Sequence, residues 1–239
     1  MEQLIYSNVS KKYTNFELKT FELTVNCGDI AGLVGANGAG KSTLLNILVD
    51  KIKPTSGKVI YKEKYRLENN IDIREMIAFF DGGCNFYSKL TLKDVDRINR
   101  GLYRKWNTKQ FEDYLDVLKV PQYIEIGKMS VGTRNKMMIS AMMSREADIL
   151  ICDELTTGLD PIAREKALCL IDEYVKDNNA AVIFSTHIIS DLEGFANRIL
   201  LIDQGTILAD DPIEKYMCNG YGKEFESTLI SKLKHNYQE

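Results

Sequence analysis

Apolar residues are spaced along this chain in two rhythms. Gln3 to Val9 and Phe16 to Val25 alternate or cluster apolar residues as strands do, and Cys27-Gly28-Asp29 then supplies a turn. The unbroken run Ile30-Ala31-Gly32-Leu33-Val34 predicts a buried strand, and Ser42 to Leu48 continues at helical spacing. Lys53-Pro54-Thr55-Ser56-Gly57 breaks the chain before a short strand over Lys58 to Tyr61. From about Leu90 to Glu146 the rhythm is helical. Phe111, Tyr114, Leu115 and Leu118 recur at i, i+3, i+4 and i+7, while Met137, Met138, Ala141 and Met142 form a second stripe that reads as core packing.

Strand and helix then alternate. Asp148 to Cys152 is followed by a helix from Pro161, and Ala180 to Ser185 by a helix from Ser190, where Ser190 and Glu193 have the spacing of a capping box. Uninterrupted apolar strands separated by helices imply a parallel sheet covered on both faces. Arg198 to Asp203, the Gln204-Gly205 turn and Thr206 to Ala209 predict a closing hairpin. The last twenty residues read as a final helix or a frayed tail.

Between the strand ending at Val34 and the following helix lies Gly35-Ala36-Asn37-Gly38-Ala39-Gly40-Lys41-Ser42. This is a P-loop. Its glycines let successive amides of Asn37, Gly38, Ala39 and Gly40 turn toward phosphate oxygens, and Lys41 reaches the outer phosphates. The Ser42 hydroxyl can ligate Mg2+, and Thr43 continues the helix N-terminus. The second cluster is Asp153-Glu154, two carboxylates at the C-terminal end of a buried strand, where open α/β sheets bind ligands. There Asp153 suits a metal, and Glu154 suits polarisation of a water aimed at the terminal phosphate.

Composition narrows the field. The 239 residues, 44% hydrophobic and 27% charged, suffice for one large domain, and a formal net charge of −3 offers no basic surplus for nucleic acid. No stretch of about eighteen consecutive apolar residues occurs, and Met1 to Tyr6 has neither signal-peptide nor anchor character, which predicts a cytoplasmic protein. Cys27, Cys84, Cys152, Cys169 and Cys218 are scattered and lack C-x-x-C spacing, arguing against a zinc site or a disulfide framework.

With these motifs in order, the chain resembles ATP-binding-cassette ATPases over nearly its whole length. Met129-Ser130-Val131-Gly132-Thr133 stands where that family carries Leu-Ser-Gly-Gly-Gln, keeping Ser130 and Gly132 and departing at Val131 and Thr133. Thr157-Gly158-Leu159-Asp160 is similar to the D-loop, and Asp160 before Pro161 also suits a helix N-cap. Leu155 replaces the usual proline. His187 in Ser185-Thr186-His187 matches the switch histidine. Tyr13 stands where relatives stack an aromatic ring on adenine, although a tyrosine could equally cover a sheet edge there. Alignment puts Gly82 at the Q-loop glutamine, leaving Asp81 as a substitute oxygen ligand to be tested.

The resemblance implies an α/β fold: a P-loop NTPase core with a mostly parallel sheet, an N-terminal antiparallel β subdomain and an inserted α-helical subdomain. It divides residues 1–239 into a core with the β subdomain (1–89 and 147–215), a helical subdomain (90–146) and a C-terminal helix or tail (216–239). It implies ATP and Mg2+ as cofactors, with Ser42 and Asp153 on the metal, Glu154 and His187 catalytic, and Ser130, Gly132 and Asp160 at a dimer interface. The implied partners are a second ATP-binding subunit and an integral membrane permease that holds the chain on the inner face of the membrane. Leu102 to Trp106 and Phe184 to Glu193 further resemble small exporter ATPases of peptide-antibiotic resistance and peptide secretion. The alternatives are a soluble cassette ATPase and a non-hydrolysing nucleotide sensor, the latter favoured by Gly82, Val131 and Thr133.

Overall fold

The computed structural model describes residues 2–62, 65–66, 71–217 and 222–235, so Cys218 lies outside the described residues. Strands β1 (Glu2–Lys12), β2 (Glu17–Asn26) and β3 (Ile30–Val34) open the chain, followed by helix α1 (Lys41–Leu48) and strands β4 (Ser56–Tyr61) and β5 (Tyr65–Arg66). Helix α2 (Ile71–Met76) leads into β6 (Ile77–Phe80). Three helices come next: α3 (Leu92–Leu102), α4 (Thr108–Val117) and α5 (Val131–Met143). Then β7 (Ile149–Cys152), α6 (Pro161–Asn178), β8 (Ala181–Ser185) and α7 (Ser190–Phe195) alternate. The hairpin β9 (Arg198–Asp203) and β10 (Thr206–Pro212) precedes α8 (Glu214–Met217) and α9 (Lys223–His235).

The strands form two sheets. One is antiparallel, in the order β2-β1-β4-β5; the other has the order β10-β9-β3-β8-β7-β6. In the second sheet β9, β3, β8, β7 and β6 run parallel, and only β10 is antiparallel, to β9. Residue alternation sorts the central strands onto two cores, as a sheet covered on both faces requires. Ile149 and Ile151 of β7 and Ile183 of β8 join β1 and α1 in one core. Leu150, Cys152, Val182 and Phe184 face the other, which contains residues of α4, α5, α6 and α7.

This arrangement fixes α1 between the two sheets. Leu44, Leu45 and Leu48 are completely buried in the core shared with Leu4 and Tyr6, and the Tyr6 hydroxyl donates to Leu44 O at 3.4 Å. Each such leucine contributes roughly 1.5–3 kcal/mol by leaving water, so the helix start is held firmly against the ends of β3 and β7.

The Ser190–Glu193 capping box does not form. Ile189 precedes α7 in helical geometry (φ −62°, ψ −31°) without a side-chain cap, and Glu193 Oε1 instead accepts from the Gly222 amide at 2.5 Å. The long-range amide wins the carboxylate. A capping box is present at α3, where the Thr91 amide donates to Asp94 Oδ2 at 2.9 Å. In the C-terminal stretch the described part is the helix α9.

Candidate functional site

A cleft of about 710 Å³ opens where α1 begins and β7 and β8 end. Asn37, Gly38, Gly40, Lys41, Ser42 and Thr43 line one side, and Asp153, Glu154 and His187 line the other. Sequence spacing placed these residues in three separate motifs, and the parallel sheet brings them together because β3, β7 and β8 end on the same edge. Ala39 belongs to the loop but is buried, its carbonyl accepting from the Gly205 amide at 2.9 Å.

Gly40 precedes α1 at φ +111°, a conformation that side chains rarely adopt. The helix start has no side-chain cap and no acidic residue in its first turn. Its leading amides and positive dipole end are thus directed at the cleft, as an anion site requires. Lys41 is 7% exposed, and its ammonium donates to Gly35 O at 2.7 Å and Ala36 O at 3.0 Å. Burial lowers its pKa, while the negative charges of Asp153 and Glu154 oppose that shift.

The acidic pair is held by its neighbours. Ser185 Oγ donates to Asp153 Oδ1 at 2.6 Å and accepts from the Glu154 amide at 2.8 Å. Glu154 has φ +53°, an unfavourable conformation for a residue with a side chain, of order 1–3 kcal/mol unless its surroundings enforce it. Three contacts enforce it: the Ser185 hydroxyl, Thr157 Oγ1 donating to Oε2 at 3.2 Å, and His187 Nε2 lying 2.9 Å from Oε1. At that distance the imidazole N–H donates to the carboxylate. Ser185 was not singled out by the sequence, because a serine at a strand end has many local uses and its two partners lie over thirty positions away.

The oxygen set suits Mg2+. Ser42 and Asp153 face the same cleft, and among the described residues none donates a hydrogen bond to Asp153 Oδ2, leaving it open to a cation or its water. Among the described residues no group of three or more His, Cys, Asp or Glu side chains could form a protein cage for a metal. Magnesium characteristically needs none, since one or two protein oxygens, substrate phosphates and water complete its shell.

Other expected residues fall elsewhere. Tyr13 does not line the cleft; Asn15 and Phe16 do. The Tyr13 ring is 40% exposed and tilts against Phe16 with centroids 6.3 Å apart. Asp81 does not line the cleft either. Its carboxylate pairs with Lys51 at 2.9 Å and borders a second groove, of about 460 Å³, with Phe79 and Tyr103. Burial raises its pKa, but the Lys51 hydrogen bond and charge and the Gly83 amide outweigh that, and the net shift is downward.

Ser130, Gly132 and Asp160 form a separate surface on the same chain. Ser130 caps α5, its hydroxyl accepting from the Thr133 amide at 3.1 Å, and Asp160 caps α6, accepting from the Ala163 amide at 3.0 Å. Asn135 Nδ2 donates to Thr157 O at 2.8 Å, and a Cβ on Gly132 would collide with the Gly158 carbonyl. The glycine is thus required for α5 and the 157–160 turn to meet. Val131 and Ile162 stand exposed beside them.

Residues 18–157, more than half of the chain, match the family model described as ABC transporter. The protein therefore belongs to the ABC transporter family. It is 30% identical over 195 residues to the bacitracin transport ATP-binding protein BcrA of Bacillus licheniformis, covering 80% of this chain but only 63% of BcrA. It is also 30% identical over 209 residues to the thiamine import ATP-binding protein ThiQ of Vibrio vulnificus, covering 84% of this chain and 88% of ThiQ. A solved ATP-binding subunit of an ABC transporter superposes with a TM-score of 0.84 at 23% identity, over 96% of this chain and 99% of that one. That likeness bears out the α/β P-loop fold. No helix among the described residues is long and apolar enough to cross a membrane.

Proposed function

We propose that this chain hydrolyses ATP to drive a separate membrane permease, working as a pair of cassettes. The observation that carries the reading is the Glu154–His187 contact of 2.9 Å in the cleft that also holds Lys41 and the open end of α1. Triphosphate would seat on the loop amides and on the Lys41 ammonium, which exchanges its bonds to Gly35 O and Ala36 O for phosphate oxygens. Glu154 accepts the proton of a water attacking the γ-phosphorus, the bond to the leaving ADP oxygen breaks, and His187 holds the carboxylate in line. Ser42 and Asp153 would hold Mg2+, which when bound would neutralise phosphate charge.

Ser130 and Gly132 do not line their own chain's cleft, and an α5 N-terminus beside the Asp160 turn suits capping of a nucleotide held by a second subunit. Two ATP molecules would then sit between two copies or related chains. The closed pair must bind ATP better than ADP, because only differential affinity converts hydrolysis into movement. The groove floored by Ile77, Phe79 and Met138 would receive a cytoplasmic helix of the permease and hold the chain on the inner face of the membrane. Export is the direction we favour, from the resemblance to peptide-antibiotic exporters; the equal identity to ThiQ makes transport into or out of vesicles the deciding assay.

Gly82 and the Asp81–Lys51 pair favour a second reading, a nucleotide sensor without hydrolysis. Phosphate release by the purified chain with Mg2+ and ATP separates the two. Release that disappears in Lys41→Ala supports the ATPase, and none from the parent chain supports the sensor. Copurification with an integral membrane protein tests the permease.

A further inference from the structure

We propose that Asp191 is a positioning residue for hydrolysis, its buried carboxylate tying together the two loops that carry Glu154 and His187. The inference rests on the hydrolytic reading above. Asp191 is on α7, 4% exposed and outside the lining of the cleft. Its Oδ2 accepts from Thr156 Oγ1 at 2.5 Å, and Thr186 Oγ1 lies 3.5 Å from the same oxygen. Thr156 follows Glu154 by two positions, and Thr186 directly precedes His187. Arg164 Nη1, on the helix capped by Asp160, lies 3.6 Å from Oδ1.

Three segments that bear on the proposed reaction thus converge on one side chain. A carboxylate taken out of water is costly unless its oxygens are satisfied, so moving any of the three segments strips a partner from a buried charge. That penalty resists relative motion of the loops. The Thr186 hydroxyl also accepts from the Ile188 amide at 3.0 Å, which shapes the turn presenting His187. Glu154 needs such support because its left-handed backbone, at φ +53°, relaxes when its surroundings loosen. Ser185 braces the pair from the strand side, and Asp191 braces it from the helix side.

The cluster also differs from an ordinary stabilising contact in its expected effect. A misplacement of about 1 Å at a reacting group costs on the order of 10²-fold in rate, while nucleotide binding on the loop amides is untouched. Thr156→Val removes one hydroxyl at constant volume, and Asp191→Asn removes the charge at constant shape. Three quantities decide the matter: the single-turnover hydrolysis rate, the affinity for a non-hydrolysable triphosphate analogue, and the imidazole signals of His187. The last are readily separated in a chain with two histidines.

The expected result is a rate loss of about tenfold or more in both variants, affinity within about twofold of the parent, displaced His187 ring signals, and recovery of the rate in Thr156→Ser. Parental rate and ring signals in a folded Thr156→Val variant would overturn the proposal. So would a joint collapse of rate, affinity and melting temperature that Thr156→Ser fails to repair, since that is plain destabilisation. If Asp191→Asn does not fold, the Thr156 pair alone decides. Absence of phosphate release from the parent chain with Mg2+ and ATP would instead remove the hydrolytic reading, and the His187 ring signals would still report whether Asp191 holds the two loops.

Discussion

The Asp81 carboxylate lies 2.9 Å from the Lys51 ammonium, linking the residue before Gly82 to the segment that follows α1. Lys51 also sits 4.3 Å from the centroid of the Phe79 ring, so the pair covers the groove and not the phosphate cleft. Asp81→Ala is therefore expected to leave the Mg2+ dependence and rate of basal hydrolysis within about twofold of the parent, and to cost at most about 1 kcal/mol of stability, as half-exposed ion pairs do. A Mg2+ titration of phosphate release checks this. A large rightward shift would return Asp81 to the metal.

Gly132→Ala tests the contact between α5 and the 157–160 turn. The new methyl meets a backbone carbonyl, which cannot rotate aside as a side chain can. Destabilisation of about 1–3 kcal/mol is expected, read as a lowered denaturation midpoint with unchanged slope. Wild-type stability would mean that the two segments separate easily.

Glu154→Gln should lower hydrolysis by about 10²–10⁴-fold, the usual worth of a general base, while nucleotide affinity stays near that of the parent. Glutamine keeps the shape and can still engage Thr157 and His187, so lost turnover would report lost proton acceptance. Retained turnover would assign the base elsewhere.

The α3 capping box gives a pH dependence of known sign. Donors on the Thr91 amide and hydroxyl hold the Asp94 carboxyl below its ordinary value of 3.8, against a smaller opposing effect of burial and with help from Arg97. Because the folded pKa is the lower one, the unfolded chain takes up the proton first as acid is added. The stabilisation is complete above the ordinary value and is lost as pH falls through the folded value. The melting-temperature gap between the parent and Asp94→Asn should thus be constant from about pH 7 to 5 and shrink below about pH 4. A gap that persists in stronger acid would assign it to shape, not charge.

Much of this was legible in the chain. The P-loop was visible because its chemistry is written in consecutive residues, and Asp153-Glu154 because an unbroken apolar run announces a buried strand and its end. Long-range partners were not legible. Ser185 finds Asp153 and Glu154 only because β8 pairs with β7, and Glu193 leaves its local capping role for an amide on Gly222. Phe16 edges the cleft in place of Tyr13 for a similar reason. The turn between β1 and β2 folds back through the Tyr13 amide bonded to Phe16 O at 2.8 Å, and the sequence does not say which ring then faces the loop.

The proposed function depends on ATP bridging two cassettes and on its cleavage parting them. Size-exclusion chromatography of Glu154→Gln with Mg2+ and ATP tests it most directly. Clamping by ATP should give a shift to twice the 27.2 kDa chain mass in ATP and return to monomer in ADP. A monomer that persists with saturating ATP at high protein concentration would contradict it.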